Sequence, residues 1–246
     1  MNSAAVAMGA GANNGTAVIT TAGYIADFSA DTGTTGTFTI TNSGAAATLG
    51  GGAGADTITG GTGADTITGG AGADSIVGGS GNDVISGGSG ADTITGDAGA
   101  DAITLSVDAT TDDIIVADGA SVAYSAITLA GTVFAASDTI TFGNGVEVIT
   151  NFLAGALASG GDTLDLITAA TIPTTAIGVT ATAMTTGVTY MLSGAYTSST
   201  GAFVITASGG ADTLLVSDAG TTASALDTWI VLSGVVNTAL VAANFI

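Results

Sequence analysis

The chain of 246 residues contains no Lys, Arg, His or Cys. Without Lys or Arg it has no basic surface, which excludes nucleic acid and anionic lipid as partners. Without His or Cys it cannot build a Ser-His-Asp triad, a thiol nucleophile or a zinc site of imidazole and thiolate ligands. A pair of catalytic carboxylates, as in glycosidases, is the one familiar hydrolytic arrangement that stays open.

The charge that is present has one sign, because 20 acidic residues give a formal net charge of −20. Only a cation from solution can neutralise it. The chain also has 40 Gly and one Pro, and 46% of its residues are hydrophobic. This hydrophobic fraction opposes the disorder that a high net charge favours, so the composition predicts an ordered β protein.

Residues 51–104 consist of six consecutive units of nine residues. Every unit has glycine in its first and fourth slots, and the second slot is glycine except at Asp97. The sixth slot is always aspartate: Asp56, Asp65, Asp74, Asp83, Asp92 and Asp101. The eighth slot is always isoleucine: Ile58, Ile67, Ile76, Ile85, Ile94 and Ile103.

The residue types within a unit predict its local structure. Glycine permits the positive φ angles of a tight turn, and the last three residues of each unit favour an extended strand. One unit is then half a coil, and two units make a coil of 18 residues with its isoleucines inside. Coils of this kind stack about 4.8 Å apart. We therefore predict an all-β fold built around a parallel β-roll.

Alternate units turn on opposite edges of this roll. Asp56, Asp74 and Asp92 stack on one edge, and Asp65, Asp83 and Asp101 stack on the other. Stacked carboxylates repel each other unless a cation lies between them. Calcium suits the arrangement because it accepts mixed carboxylate and carbonyl ligands more readily than magnesium does. Each edge holds two stacked pairs, so we expect four calcium ions.

These units resemble the nonapeptides of the RTX (repeats-in-toxin) family, G-G-x-G-x-D-x-U-x. The resemblance implies a calcium-filled parallel β-roll in a protein that is exported by a type I system and folds outside the cell. Among RTX proteins, the bacterial surface-layer and other extracellular structural proteins are the most similar. The sixth-slot aspartates are then the expected calcium ligands, together with Asp97 and Asp113.

Three later segments, 137–141, 145–152 and 160–166, are together similar to the segment that closes RTX rolls. The resemblance implies another calcium site there, with the ligands Glu147, Asn151, Asp162 and Asp165. A separate Gly-Gly-Ala-Asp-Thr-Leu sequence makes Asp212 a candidate for an isolated calcium turn.

The chain divides into an N-terminal β segment (1–50), the calcium β-roll (51–118) and a C-terminal β-rich region with further calcium turns (119–246). Alternating residues predict strands at Thr16–Thr21 and Thr37–Thr41, and we expect the flanks to form antiparallel sheets or a sandwich. Residues 228–246 carry no charge. They are consistent with terminal strands or a type I secretion signal, and less so with a membrane span, because no basic residue flanks them.

Three functions from different classes remain. The first is a calcium-dependent structural protein that assembles with itself into an extracellular surface layer or filament. The second is a calcium-dependent adhesin or carbohydrate-binding protein with a cell-surface glycan as partner, although one Trp and four Tyr offer few aromatic platforms. The third is a secreted hydrolase, for which H-E-x-x-H and G-x-S-x-G motifs are missing. We rank them in this order and expect no enzymatic activity.

Overall fold

The structure, a computed structural model, describes residues 6–7, 15–33, 36–108, 110–116, 124–128, 139–142, 146–152, 154, 162–166, 174–175, 189–200, 202–206, 210–217 and 228–235. These residues form strands and turns, and they include no helix that is long and apolar enough to cross a membrane. In chain order the strands are β1 (Val6–Ala7), β2 (Thr16–Thr21), β3 (Ala26–Asp27), β4 (Thr37–Asn42), β5 (Thr48–Gly52), β6 (Thr57–Thr62), β7 (Thr66–Ala71), β8 (Ser75–Ser80), β9 (Val84–Ser89), β10 (Thr93–Ala98), β11 (Ala102–Thr104), β12 (Asp113–Val116), β13 (Tyr124–Thr128), β14 (Thr139–Phe142), β15 (Glu147–Thr150), β16 (Thr163–Leu166), β17 (Thr174–Thr175), β18 (Thr189–Thr197), β19 (Ala202–Ile205), β20 (Asp212–Ser217) and β21 (Thr228–Ser233).

The repeats form a parallel β-roll, as predicted. Successive strands alternate between two sheets, so that β6, β8 and β10 lie in one sheet and β5, β7, β9 and β11 lie in the other. Strands two units apart pair in parallel, with Ile58 opposite Ile76 and Ile67 opposite Ile85. One coil therefore takes two units, because each unit supplies one strand and one turn.

The strands before the repeats continue the same roll. The first sheet begins with β2 and β4, and the second with β1, β3 and β5, all paired in parallel. The expectation of antiparallel strands is therefore wrong for this N-terminal flank. In the sequence, Ile40 and Leu49 each precede a repeat isoleucine by the length of one coil. The parallel register therefore places them in the two apolar columns, which makes it favourable.

The roll also continues after the repeats. β12 and then β16 extend the first sheet in parallel, and β15 and β21 extend the second. Beyond β21 the second sheet becomes antiparallel through β20, β18, β19, β14 and β13. This C-terminal sheet agrees with the antiparallel flank predicted from the sequence.

The core of the roll consists of two facing columns of side chains. One column contains the inward isoleucines of β6, β8 and β10, and the other contains those of β7, β9 and β11; each is at most 1% exposed. The columns extend in register to Ile40 and Leu164 on one sheet and to Leu49 and Ile149 on the other. The prediction that the repeat isoleucines form the core is confirmed.

Substitutions at Ile76 test the importance of these columns. Ile76→Asp would place a carboxylate inside the roll without a partner and should cost several kcal/mol. Ile76→Val should cost about 0.5–1.5 kcal/mol, because it removes one methyl group from the column. Calcium titrations followed by circular dichroism should show a higher midpoint for Ile76→Asp and a nearly unchanged one for Ile76→Val. Equal midpoints for wild type and Ile76→Asp would contradict an inward column.

Candidate metal centre

Glycine turns connect the two sheets at both edges of the roll. The fourth-slot glycines Gly63, Gly72 and Gly81 have φ angles of 95°, 121° and 136°, which side-chain-bearing residues rarely adopt. Their N–H groups donate to the third-slot carbonyl of the next coil, for example from Gly72 to Ser89 at 2.8 Å. The turns therefore stack in register, in the same way as the strands that they join.

The sixth-slot aspartates form one hydrogen-bonded ladder along each edge of the roll. We call the ladder through Asp56, Asp74 and Asp92 edge A, and the ladder through Asp65, Asp83 and Asp101 edge B. In each ladder, Oδ1 of one aspartate accepts the backbone N–H of the aspartate 18 residues earlier, at 2.8–3.0 Å. This bond fixes each carboxylate relative to the neighbouring coil.

The second carboxylate oxygen, Oδ2, differs from Oδ1 in its hydrogen bonding. In Asp56, Asp65, Asp74, Asp83 and Asp92, Oδ2 is buried and accepts no hydrogen bond. These residues are at most 2% exposed. A buried acceptor without a partner is unfavourable, and an ionised one more so. These oxygens are therefore available to a cation.

Burial also shifts the titration of the ladders. Desolvation raises the pKa of Asp56, Asp65 and Asp74 to about 6 and that of Asp92 and Asp101 to about 7. The hydrogen bond from the neighbouring N–H opposes this shift, and repulsion within the ladder adds to it, as when Asp56 raises the pKa of Asp74. Negative charge in the ladders is therefore costly at neutral pH unless a cation balances it.

The first-slot glycines leave the space that each carboxylate occupies. An ideal Cβ on Gly78 would lie 2.5 Å from Oδ2 of Asp83 and 2.8 Å from the carbonyl oxygen of Gly96 in the next coil. Any larger residue would collide with both oxygens. The same position thus brings carboxylate and carbonyl oxygens together, which are the donors that Ca²⁺ prefers.

Among the residues that the structure describes, no group of three or more acidic, His or Cys side chains converges on one point. A cation in the turns would therefore combine stacked carboxylates with backbone carbonyl oxygens. With these donors and the uncompensated Oδ2 atoms, the edges fit a hard divalent cation and offer no nitrogen or sulfur ligand.

Two predicted ligands lie near the repeat edges. Asp97 takes a positive φ of 66° at the slot where the other units have glycine, and its charge adds to the desolvation that raises the pKa of Asp83 and Asp101 on edge B. Asp113 points away from edge A and accepts a 2.7 Å hydrogen bond from the Thr163 hydroxyl. Its neighbour Asp112 continues the ladder instead, because its Oδ1 accepts the N–H of Asp92 at 3.0 Å.

The four predicted ligands of the closing segment lie in different parts of the roll. Asp162 is buried on edge A, where its Oδ1 accepts the N–H of Asp112 at 3.0 Å. Asn151 is exposed, with φ of 65°, and donates to the carbonyl of Leu105. The backbone register places Glu147 one coil beyond Asp101 on edge B. The side chains of Glu147 and Asp165 lie outside the described residues.

Asp212 lies in the C-terminal sheet and is surrounded by hydrogen-bond donors. Its Oδ2 accepts the N–H of Tyr196 at 2.8 Å, and its Oδ1 accepts the N–H of Gly234 at 2.8 Å and the hydroxyl of Ser233 at 3.3 Å. These bonds link β18, β20 and the end of β21. The structure thus gives this carboxylate a linking role in the sheet, and the calcium turn at Asp212 stays a prediction.

Asp108 is a hydrogen-bonded carboxylate in the turn that follows the repeats, as its position just beyond them predicts. Its Oδ2 accepts the N–H of Gly90 at 3.1 Å, and the Thr110 hydroxyl donates to the Gly90 carbonyl at 2.9 Å. Hydrogen bonds from Ser106 and Thr110 hold the pKa of Asp108 well below its usual range. Aspartate commonly caps nearby backbone amides in turns, and here the N–H of Thr110 also donates to Asp108 at 2.8 Å.

Comparison with known families agrees with this geometry. The family model for the RTX calcium-binding nonapeptide repeat matches residues 50–85 and 77–108. This segment consists of RTX repeats. Its cofactor is Ca²⁺, in accord with the oxygen donors along both edges. Searches of curated proteins and of solved structures each gave no significant match.

The RTX edges should make the stability of the calcium-free protein fall as the pH rises. Since the folded pKa values lie above the unfolded value of about 3.9, calcium-free protein keeps their full stabilisation only below about pH 4. It loses this stabilisation as the pH rises through 6 to 7. Protein freed of calcium on a chelating resin should therefore show more β signal at pH 5.5 than at pH 8, and calcium should restore most signal at pH 8.

Two substitutions provide the control for this experiment. Asp74→Asn removes one buried titrating group, so it should reduce the difference between pH 5.5 and pH 8 in calcium-free protein. Asp113→Asn, on the outer face, should leave that difference unchanged. A calcium-free β signal that is the same at both pH values would contradict the burial of uncompensated carboxylates.

Proposed function

We propose that this protein is a calcium-dependent, non-catalytic structural protein that assembles with itself outside the cell, as a surface layer or a filament. The observation that carries the proposal is the pair of buried aspartate ladders in a chain with no basic residue. Such a roll needs an external cation near neutral pH. Calcium is abundant outside cells, which agrees with export by a type I system as the RTX resemblance implies.

The sixth-slot aspartates are the calcium ligands in this proposal. Each ion lies between two adjacent coils and takes one aspartate from each, together with turn carbonyls. The repeats alone then hold four ions, two on each edge. Calcium sites of extracellular modules have dissociation constants of about 10⁻⁴–10⁻³ M, and we expect the individual sites to lie in this range.

The N-terminal end of the roll supports self-assembly. β2 is the last described strand of its sheet, and it carries no charge. Ala17 and Ile19 are only partly buried against the core, and Val18 is 75% exposed on the outer face. An uncharged strand at the end of a parallel sheet is suited to pairing with a strand of another copy. Calcium would promote this pairing, because it lowers the repulsion between chains of charge −20.

The absence of catalytic activity is proposed from the chemistry of this chain. His, Cys and Lys are missing from it, and the buried carboxylates are committed to ladders in which each contacts the next coil. A carboxylate in such a position is part of the fold and does not face a substrate.

Sedimentation and electron microscopy in chelator and in millimolar calcium test the assembly. Wild-type protein should form polymers or sheets only with calcium. Val18→Lys should weaken assembly, because a charge on an end strand opposes pairing. Val107→Lys, at a position that is 79% exposed elsewhere on the surface, is the matched control and should assemble normally. A wild type that stays monomeric at high concentration in calcium would contradict the proposal.

One observation favours the second candidate, a calcium-dependent carbohydrate-binding protein. A cavity of about 420 Å³ lies between the outer face of the roll and the turn after β18. Its polar lining includes Asn82, Thr150, Tyr196, Ser198 and Ser233. Hydroxyl and amide groups beside an aromatic ring suit a neutral saccharide, and the lack of basic residues excludes an anionic one.

A glycan array with calcium tests this second function. Binding of neutral glycans that Tyr196→Ala abolishes, and that Tyr24→Ala at an exposed site preserves, would support it. An array without any calcium-dependent signal would count against it and leave the structural function as the proposal.

A further inference from the structure

Two units of nine residues precede the matched repeats in the same roll. The register places Ile40 opposite Ile58 and Leu49 opposite Ile67. In the described part of the chain, Gly33, residues 36–41 and residues 42–50 therefore occupy the same slots as the repeat units. Their sixth slots, however, hold Phe38 and Ala47 in place of aspartate.

The first slot of the second of these units holds Asn42, where all six repeats have glycine. Asn42 is 1% exposed. Its Oδ1 accepts the N–H of Gly23 at 2.7 Å and that of Gly44 at 3.1 Å, and its Nδ2 donates to the carbonyl of Ala45 at 2.9 Å. One side chain thus connects the turns of two adjacent coils.

In this turn the amide alone makes the contacts that a carboxylate and a cation make together in a repeat turn. Its oxygen accepts backbone N–H groups, as a sixth-slot carboxylate does, and its nitrogen satisfies a turn carbonyl, as a cation would. The amide is neutral, so burial carries no charge penalty. On edge A, Phe38 occupies the aspartate slot and stacks on Phe28 with ring centroids 4.6 Å apart and an angle of 12°. That edge still buries a carboxylate, Asp31, whose charge adds to the desolvation that raises the pKa of Asp56.

We propose that residues 36–50 form a calcium-independent cap on edge B at the N-terminal end of the roll, in which Asn42 replaces aspartate and calcium. The proposal rests on the assignment of the sixth-slot aspartates as calcium ligands. The cap also holds the first carboxylate of each ladder. The N–H of Phe38 donates to Asp56 at 2.7 Å, and that of Ala47 donates to Asp65 at 2.6 Å. It therefore provides a folded template on which the repeats add in calcium.

Hydrogen exchange on the full chain at pH 8 tests the cap. In calcium-free protein the amides of 37–52 should stay protected, whereas those of 57–104 should exchange at least about tenfold faster than in calcium. Rapid exchange of 37–52 without calcium would overturn the cap. Equal protection of 57–104 with and without calcium would instead overturn the assignment of the ligands, so the two failures are distinguishable.

Substitutions at Asn42 test the mechanism. Asn42→Gly leaves the turn without its amide or a carboxylate, so protection of 37–52 should fall about tenfold or more with and without calcium. Ala46→Gly adds a glycine to the same turn without removing a hydrogen bond and should have a much smaller effect. Unchanged protection in Asn42→Gly would overturn the role of the amide.

The double substitution Asn42→Gly and Ala47→Asp restores the first-slot glycine and the sixth-slot aspartate of a repeat unit. Its residues 37–52 should be protected only in calcium, and equilibrium dialysis should find about one more bound calcium ion per chain than in wild type. A double variant with neither the calcium-dependent protection nor the additional ion would overturn the proposed equivalence between the amide and an aspartate with its cation.

Discussion

The burial of stacked negative charge without any basic side chain is the constraint on which this structure depends. The six repeat aspartates are all at most 2% exposed, and desolvation raises their pKa values. Protons can neutralise them at low pH, and a cation can do so near neutral pH. Burial of the hydrophobic columns favours folding. The chain can bury them only when the negative charge of the ladders is neutralised.

The period of nine residues was sufficient to predict the central roll, because it determines both which residues point into the core and which aspartates stack. Ile58 and Asp56 could be placed from their spacing alone. The N-terminal coils were harder to predict. Their units keep the apolar residues Ile40 and Leu49 but have lost the paired glycines and the aspartates that make the repeat visible. These strands pair in parallel with strands about 20 residues away. The alternation of residues within one strand does not predict such a distant partner.

The predicted sites beyond the repeats show a second limit. The turn before Asp112 is longer than a repeat turn, so the ladder step from Asp92 takes 20 residues in place of 18. The sequence then offers two adjacent acids, Asp112 and Asp113, for the next position of the ladder. A shift of one residue moves a side chain to the other face of the strand. The step from Asp112 to Asp162 takes 50 residues. Spacing in the sequence no longer reports stacking there, although the hydrogen-bond ladder is continuous.

The first and sixth slots are physically coupled in the repeats and in the unit that begins at Asn42. A carboxylate in the sixth slot occupies the space beside the first-slot glycine, so a repeat with aspartate excludes any side chain there. When Ala47 removes the carboxylate, that space becomes available, and Asn42 fills it with an amide that connects the same turns. Each solution satisfies the buried backbone groups, but only one of them leaves a charge that must be balanced. On edge B, the choice between glycine with aspartate and asparagine with alanine therefore determines which turns carry a charge that needs a cation.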